Sequence, residues 1–234
     1  KRALEAELAA WIAADPERTA RWGGALAELE ALLAEGRAHR ERDAEVGAIT
    51  RGQLLSAAAK IYRLAREREL PDAERSPGYQ DRDLSRIRGG LARMERSFDV
   101  EVDRALLGRA FERYAALPAV DRLSAVDAWF GLEEPVDLAT LAAKLDEMYG
   151  ATSLTDSATR LALLDADRAA LEASEDPFVK LAVAMYDTSR ALEAEDEARA
   201  GRLQAVRPRY MAALVAFLEA RGEVVYPDAN GTLR

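Results

Sequence analysis

Few residues in this 234-residue chain could do chemistry. His39 is the single histidine, cysteine is absent, and 42 acidic residues outnumber 33 Lys plus Arg. A Ser-His-Asp system could formally use His39, because imidazole titrates near neutral pH. It lies in RAHRERD, however, crowded by charge on a helical pattern, and reads as solvated surface. Carboxylates at Glu133-Glu134 and in the run Glu193, Glu195, Asp196, Glu197 invite a metal or acid/base reading. A di-iron bundle needs two Glu-x-x-His motifs, which one histidine cannot supply. The acidic run also lacks the glycine-turned loop of an EF-hand, so both groups read as solvated helix faces. No metal, cofactor or catalytic residue is expected from them. Gly23-Gly24 and Gly89-Gly90 are isolated pairs with no strand before them, so they form no phosphate loop and either allow close packing or mark a break. Trp11, Trp22 and Trp129 fall on apolar stripes, where core packing outweighs ligand stacking. Taken alone, these residues assemble no active site.

The elements around them are helical. Ala, Leu, Glu and Arg dominate, aromatics are 6% of residues, and the expected fold class is all-α. The apolar spacing predicts helices over 2–14 and 16–35, then one long helix over 38–70 weakened at Gly47 and Gly52. Residues 71–80, PDAERSPGYQ, form the clearest internal loop, since two prolines and a glycine within ten residues cannot sustain a helix. Helices resume over 81–97, 100–117, 119–130 and 138–149, each set off by a Pro or Asp suited to a cap. Shorter ones follow over 156–164 and 167–173. Asp176-Pro177 then starts a last stretch to 220, with a kink or break expected at Val206–Arg207 because Pro208 lacks an N–H. Gly222 ends it. The tail 223–234 reads instead as a short extended, β-like segment. It carries β-branched residues, a Pro-Asp turn and an Asn-Gly pair.

The formal charge is −9, with bases interspersed among acids rather than gathered into a patch. That argues against nucleic acid and against an anionic membrane surface as partners. No apolar run approaches the roughly 20 residues needed to span a bilayer. The N-terminus KRALEAELAAW is an amphipathic helix pattern rather than a signal peptide, and without an initiator Met Lys1 reads as a position inside a longer protein.

Four stretches are too particular to be generic helix: PGYQDRD at 77–83, RLALLDADRAALEASEDPF at 160–178, RPRYM at 207–211 and YPDANGTLR at 226–234. Together they resemble the helical region of the bacterial dipeptidyl-peptidases seven and eleven, serine peptidase family forty-six. The resemblance extends over essentially the whole chain. It implies a two-domain exopeptidase in which a chymotrypsin-like double β-barrel carries a Ser-His-Asp triad and an inserted all-helical domain caps the cleft. Such enzymes release N-terminal dipeptides from oligopeptides in the periplasm or at the cell surface of Gram-negative bacteria, typically as homodimers. On that reading residues 1–222 are the helical cap, 223–234 begin the re-entry into a β-barrel peptidase domain, and the triad lies elsewhere. His39 matches no family motif and the chain has no Gly-x-Ser-Gly. The cap's partners would be its own β-barrel domain and, through the whole enzyme, a peptide.

The residues the resemblance marks as cleft-lining or interdomain candidates are Pro77, Gly78, Tyr79, Gln80, Arg82 and Asp83, with Tyr226, Asp228 and Asn230. The plainer reading of the first group has Tyr79 packed against helices while Asp81 and Asp83 cap the next one. A reading from another class is a free-standing helical scaffold that binds a protein partner through an apolar groove.

Overall fold

A computed structural model describes residues 2–132 and 135–223. They form twelve α-helices: α1 (Arg2–Ala13), α2 (Pro16–Trp22), α3 (Ala25–Ala38), α4 (Arg40–Thr50), α5 (Gln53–Glu67), α6 (Leu84–Arg93), α7 (Val100–Ala115), α8 (Ser124–Phe130), α9 (Leu138–Ala151), α10 (Ser157–Leu163), α11 (Arg168–Glu172) and α12 (Pro177–Ala220). Short 3-10 turns lie at Asp72–Glu74, Asp81–Asp83, Met94–Arg96 and Ala119–Asp121. No strand occurs among the described residues, and the fold class is all-α. The extended segment expected from 223 onward lies, apart from Glu223, outside the described residues.

Aspartates start the helices as the sequence suggests. Asp15, Asp99, Asp137, Asp156 and Asp167 each accept a hydrogen bond from a backbone N–H in the following first turn. Asp176 accepts from Phe178 N at 3.0 Å and Val179 N at 3.3 Å at the start of α12.

Four expected spans need correction. The 119–130 helix is a 3-10 turn at Ala119–Asp121, an extended Arg122 and Leu123, and then α8 from Ser124. The 16–35 helix is broken at Gly23-Gly24, where Gly24 sits at φ 81, and α3 continues past Gly36 to Ala38. The single 38–70 helix is three elements in part: α3 ends at Ala38, α4 ends at Thr50 and α5 begins at Gln53. Two causes act at the second break. A Cβ on Gly52 would stand 3.0 Å from Leu107 Cδ1, tighter than an ordinary Cβ contact, so the backbone approaches α7 closely here. The buried Asp103 carboxylate of α7 also accepts from Gln53 N at 2.6 Å and Leu54 N at 3.3 Å, capping α5 across the fold. At Pro208, by contrast, the expected break does not occur: α12 runs through it. Val206 and Ala213 on either side are buried, and their packing holds the helix across the missing N–H.

By packing, the described residues divide into two compact units, 2–39 with 192–223 and, in the other, those between 40 and 191. In the first, Leu8, Ile12, Trp22, Ala213, Leu214 and Phe217 form a core, with Trp11 stacked on Trp22 at 5.8 Å between centroids. Ala25, Leu32 and Val206 form a second cluster there. In the other unit α5 is the most deeply set helix: Leu54, Ala58, Ile61 and Leu64 are buried at helical spacing. Around it α4 packs on α7, α7 on α9, α10 on α6 and α11 on α5. Phe111 meets Phe130 at 4.4 Å and Tyr149 meets Phe178 at 5.0 Å, both within this unit.

Candidate functional site

The C-terminal half of α5 organises the candidate loop. Helical spacing puts Arg63 and Glu67 one turn apart, and Glu67 is 4% exposed. Its carboxylate accepts from Ser76 N at 2.8 Å and pairs with Arg63 at 3.4 Å. Burial pushes the Glu67 pKa up, but the bonds from Ser76 and then Arg63 prevail, so it lies below the usual carboxylate value of 4.5. The same Arg63 guanidinium lies 4.7 Å from the centre of the Tyr79 ring. One helical turn therefore holds both the start and the middle of the loop.

The loop then closes on itself. Arg75 donates to Leu70 O at 3.1 Å and to Asp81 at 2.7 Å, while Asp81 N donates to Asp72 Oδ1 at 2.6 Å. Gln80 Nε2 reaches Asp72 O at 3.5 Å. Gly78 adopts φ 94, a left-handed turn conformation suited to glycine. Arg86 donates to Asp83 Oδ1 at 3.2 Å, whereas Asp83 Oδ2 is buried with no partner among the described residues. Pro77 and Arg82 are exposed; Tyr79, Gln80 and Asp83 are half-buried. Thus the structure brings Pro77 to Asp83 together as one internally braced loop. The expected caps are corrected: Asp83 stands at the start of α6 without a side-chain cap bond, and Asp81 pairs with Arg75 instead. Arginines within reach of both carboxylates compete successfully for them. Tyr226, Asp228 and Asn230 lie outside the described residues.

Sequence reasoning missed the other face of the same helix. Tyr62 OH donates to Glu172 of α11 at 2.7 Å, Arg66 lies 4.6 Å over the Tyr186 ring of α12, and Arg168 donates to Glu172 at 2.7 Å. Arg168 and then Tyr62 hold the Glu172 pKa below its ordinary range, while burial pushes the Tyr62 phenol up. The available signal was two i,i+4 pairs, Tyr62 with Arg66 and Arg168 with Glu172. That they meet is a tertiary fact. Its groups are donors, acceptors and rings engaged with one another rather than an activated nucleophile.

The remaining candidates fall where charge or apolar packing takes them. His39 is half-buried at the end of α3, and the acidic run Glu193 to Glu197 lies along α12, with Asp196 paired to Arg199. Trp22 is core, Trp11 packs against it, and Trp129 is half-buried with Lys144 over its ring at 5.5 Å. Among the described residues no group of three or more His, Cys, Asp or Glu is placed to hold a metal ion, and no helix is long and apolar enough to cross a membrane.

Known proteins match the whole length of this amino-acid sequence. The family model for peptidase S46 covers residues 1–234. The chain is 42% identical over 234 residues to the Asp/Glu-specific dipeptidyl-peptidase of Shewanella putrefaciens (strain CN-32 / ATCC BAA-453). That alignment takes in 100% of this chain and 31% of the relative, so the chain spans about a third of the relative's length. Family model and relative each cover the full 234 residues, and on that ground the chain belongs to the peptidase S46 family.

Proposed function

We propose that this chain is the helical cap of a serine-type dipeptidyl-peptidase, covering the active-site cleft of a longer enzyme and inactive alone. The observation that carries the reading is the 42% identity along the entire chain to a dipeptidyl-peptidase three times as long. Two features of the sequence support the division of labour: the single histidine sits in a charged helical stretch, and no Gly-x-Ser-Gly is present. The β-barrel catalytic domain is then the cap's partner, the whole enzyme acts as a homodimer, and its location is the periplasm or cell surface. An exopeptidase must reject internal segments of a chain, and a braced helical lid does so by narrowing the cleft and excluding water. Within the cap, the loop 71–83 is the surface we assign to the cleft or the domain contact. Its internal ion pairs keep it rigid while Pro77 and Arg82 face outward.

The test is to express the full reading frame beside this segment and to assay dipeptide release from free and N-acetylated peptides. Peptides carrying Asp or Glu come first in the panel, given the specificity stated in the relative's name. Activity in the full protein alone, abolished by acetylation, is the expected result. If the isolated segment hydrolysed peptides, and His39→Ala removed that activity, the cap reading would fail. Cleavage by neither protein would turn attention to a helical scaffold with a protein partner.

A further inference from the structure

Gly89-Gly90 sits inside α6, where glycine is destabilising because it gives up more backbone freedom than alanine. Neither residue has the left-handed backbone that would call for glycine. Packing within the fold accounts for the first alone. A Cβ on Gly89 would stand 3.1 Å from Arg93 Nη1, so its absence lets that guanidinium lie along the helix, whereas the space beside Gly90 holds nothing within 4 Å among the described residues. Gly90 is also exposed, which leaves the helix backbone bare there.

The same face carries arginines. Ile87 and Leu91 are buried and α10 packs on α6, which fixes the inward side of the helix. Helical spacing then puts Arg86, the glycine pair and Arg93 together on the outward side, at steps of three or four residues. Arg82 and Arg96 continue the series at either end, and all four arginines are exposed. Residues 82–96 hold five arginines against two carboxylates, in a chain whose net charge is −9. Arg86 pairs with Asp83 and Arg88 with Asp165, while Arg82, Arg93 and Arg96 pair with no carboxylate among the described residues. Bare backbone flanked by guanidinium groups suits a ligand that can come close and that offers carboxylates, each able to accept two parallel N–H bonds from one arginine. An acidic peptide does both.

We propose that the outward face of α6 is a docking strip for an acidic peptide segment, supplied by the part of a peptide substrate that lies beyond its N-terminal dipeptide. Arg82 belongs both to this strip and to the loop 71–83 assigned above to the cleft, so a chain leaving the cleft would pass onto the strip. The source of the segment rests on the proposed function; the binding does not. Opposite charge draws the segment in, and the glycine step lets it lie against the helix.

Fluorescence anisotropy of a short, dye-labelled, N-acetylated oligoglutamate added to the full-length protein tests it without any turnover. Oligoglutamate is expected to bind, oligolysine not to, and the affinity to fall as salt screens the charges. Arg86→Ala combined with Arg93→Ala should weaken binding about tenfold, the sum expected of two exposed ion pairs. Gly90→Leu should weaken it as well, yet leave the melting temperature equal or higher, because leucine favours a helix and the space beside Gly90 is open. A purely structural role for the glycine would not separate those two readouts. Absence of oligoglutamate binding, or binding indifferent to these substitutions, would overturn the strip, and a preference for single-stranded DNA would overturn the peptide as its occupant. A full-length protein that bound oligoglutamate but released no dipeptides would remove the peptidase reading, and with it the source assigned to the segment, while the strip itself stood.

Discussion

At the scale of single residues, buried carboxylates hold the larger unit in register. Asp103 is 2% exposed and accepts from two backbone N–H groups of α5 and from Tyr149 OH at 2.8 Å. Removing it strands three buried donors at once. Asp103→Ala should therefore lower stability by about 2–4 kcal/mol, against about 1 kcal/mol for Tyr149→Phe, measured by urea unfolding. Glu67 predicts a pH dependence with a definite sign. Its folded pKa is depressed below 4.5, so its contribution is present above that value and is lost as pH falls through the folded value. The difference in melting temperature between wild type and Glu67→Gln should be widest near neutrality and shrink below pH 4.5. A gap that widened in acid would contradict the assignment. Arg82 is the opposite case: it is exposed, so Arg82→Ala should leave the melting temperature within about 1 °C while, on the proposed cap function, reducing kcat/KM of the full-length protein several-fold. Equal kinetics would remove this loop from the cleft.

At the scale of elements, local signals and tertiary packing disagree in instructive places. Aspartate caps were legible because an Asp before an apolar period has one dominant role at a helix start. The break at Gly52 was only half legible, since glycine weakens a helix anywhere but ends one here through Leu107 and Asp103, about fifty residues away. Proline misled in the other direction. Interior proline costs a helix about 3 kcal/mol, yet α12 continues through Pro208. Pro208→Ala is accordingly expected to stabilise the protein by about 1–3 kcal/mol, read as a rise in the denaturation midpoint. A loss of stability would mean that proline is required there.

For the molecule as a whole, the magnitudes favour core over rim. In the unit of residues 1–39 and 192–223, α1 and α3 join α12 by surface ion pairs, Arg221 with Glu7, Arg209 with Glu28 and Arg202 with Glu35. Exposed pairs of this kind contribute about 0–1 kcal/mol each. Phe217, by contrast, is 5% exposed and lies against the Trp11 ring at 5.6 Å. Phe217→Ala should cost about 3–5 kcal/mol and Arg209→Ala less than about 1 kcal/mol, compared by thermal unfolding. Comparable losses would show that charge rather than burial holds this unit.

The amino-acid sequence by itself determined the all-α class, most helix starts and the loop over 71–80. These follow from side-chain period, proline geometry and Asp capping, all of which act within a few residues. The same chain text, read as PGYQDRD, RPRYM and YPDAN-x-TLR, also carried the family. Only the tertiary structure decided that α5 is capped by Asp103, that Arg63 and Glu67 brace the loop while Tyr62 and Arg66 meet Glu172 and Tyr186, and that a buried Arg160 holds the carbonyls of Leu154 and Thr155. Those outcomes depend on pairs separated by up to about 120 positions, and helical periodicity says which face a residue takes without saying what it will meet there.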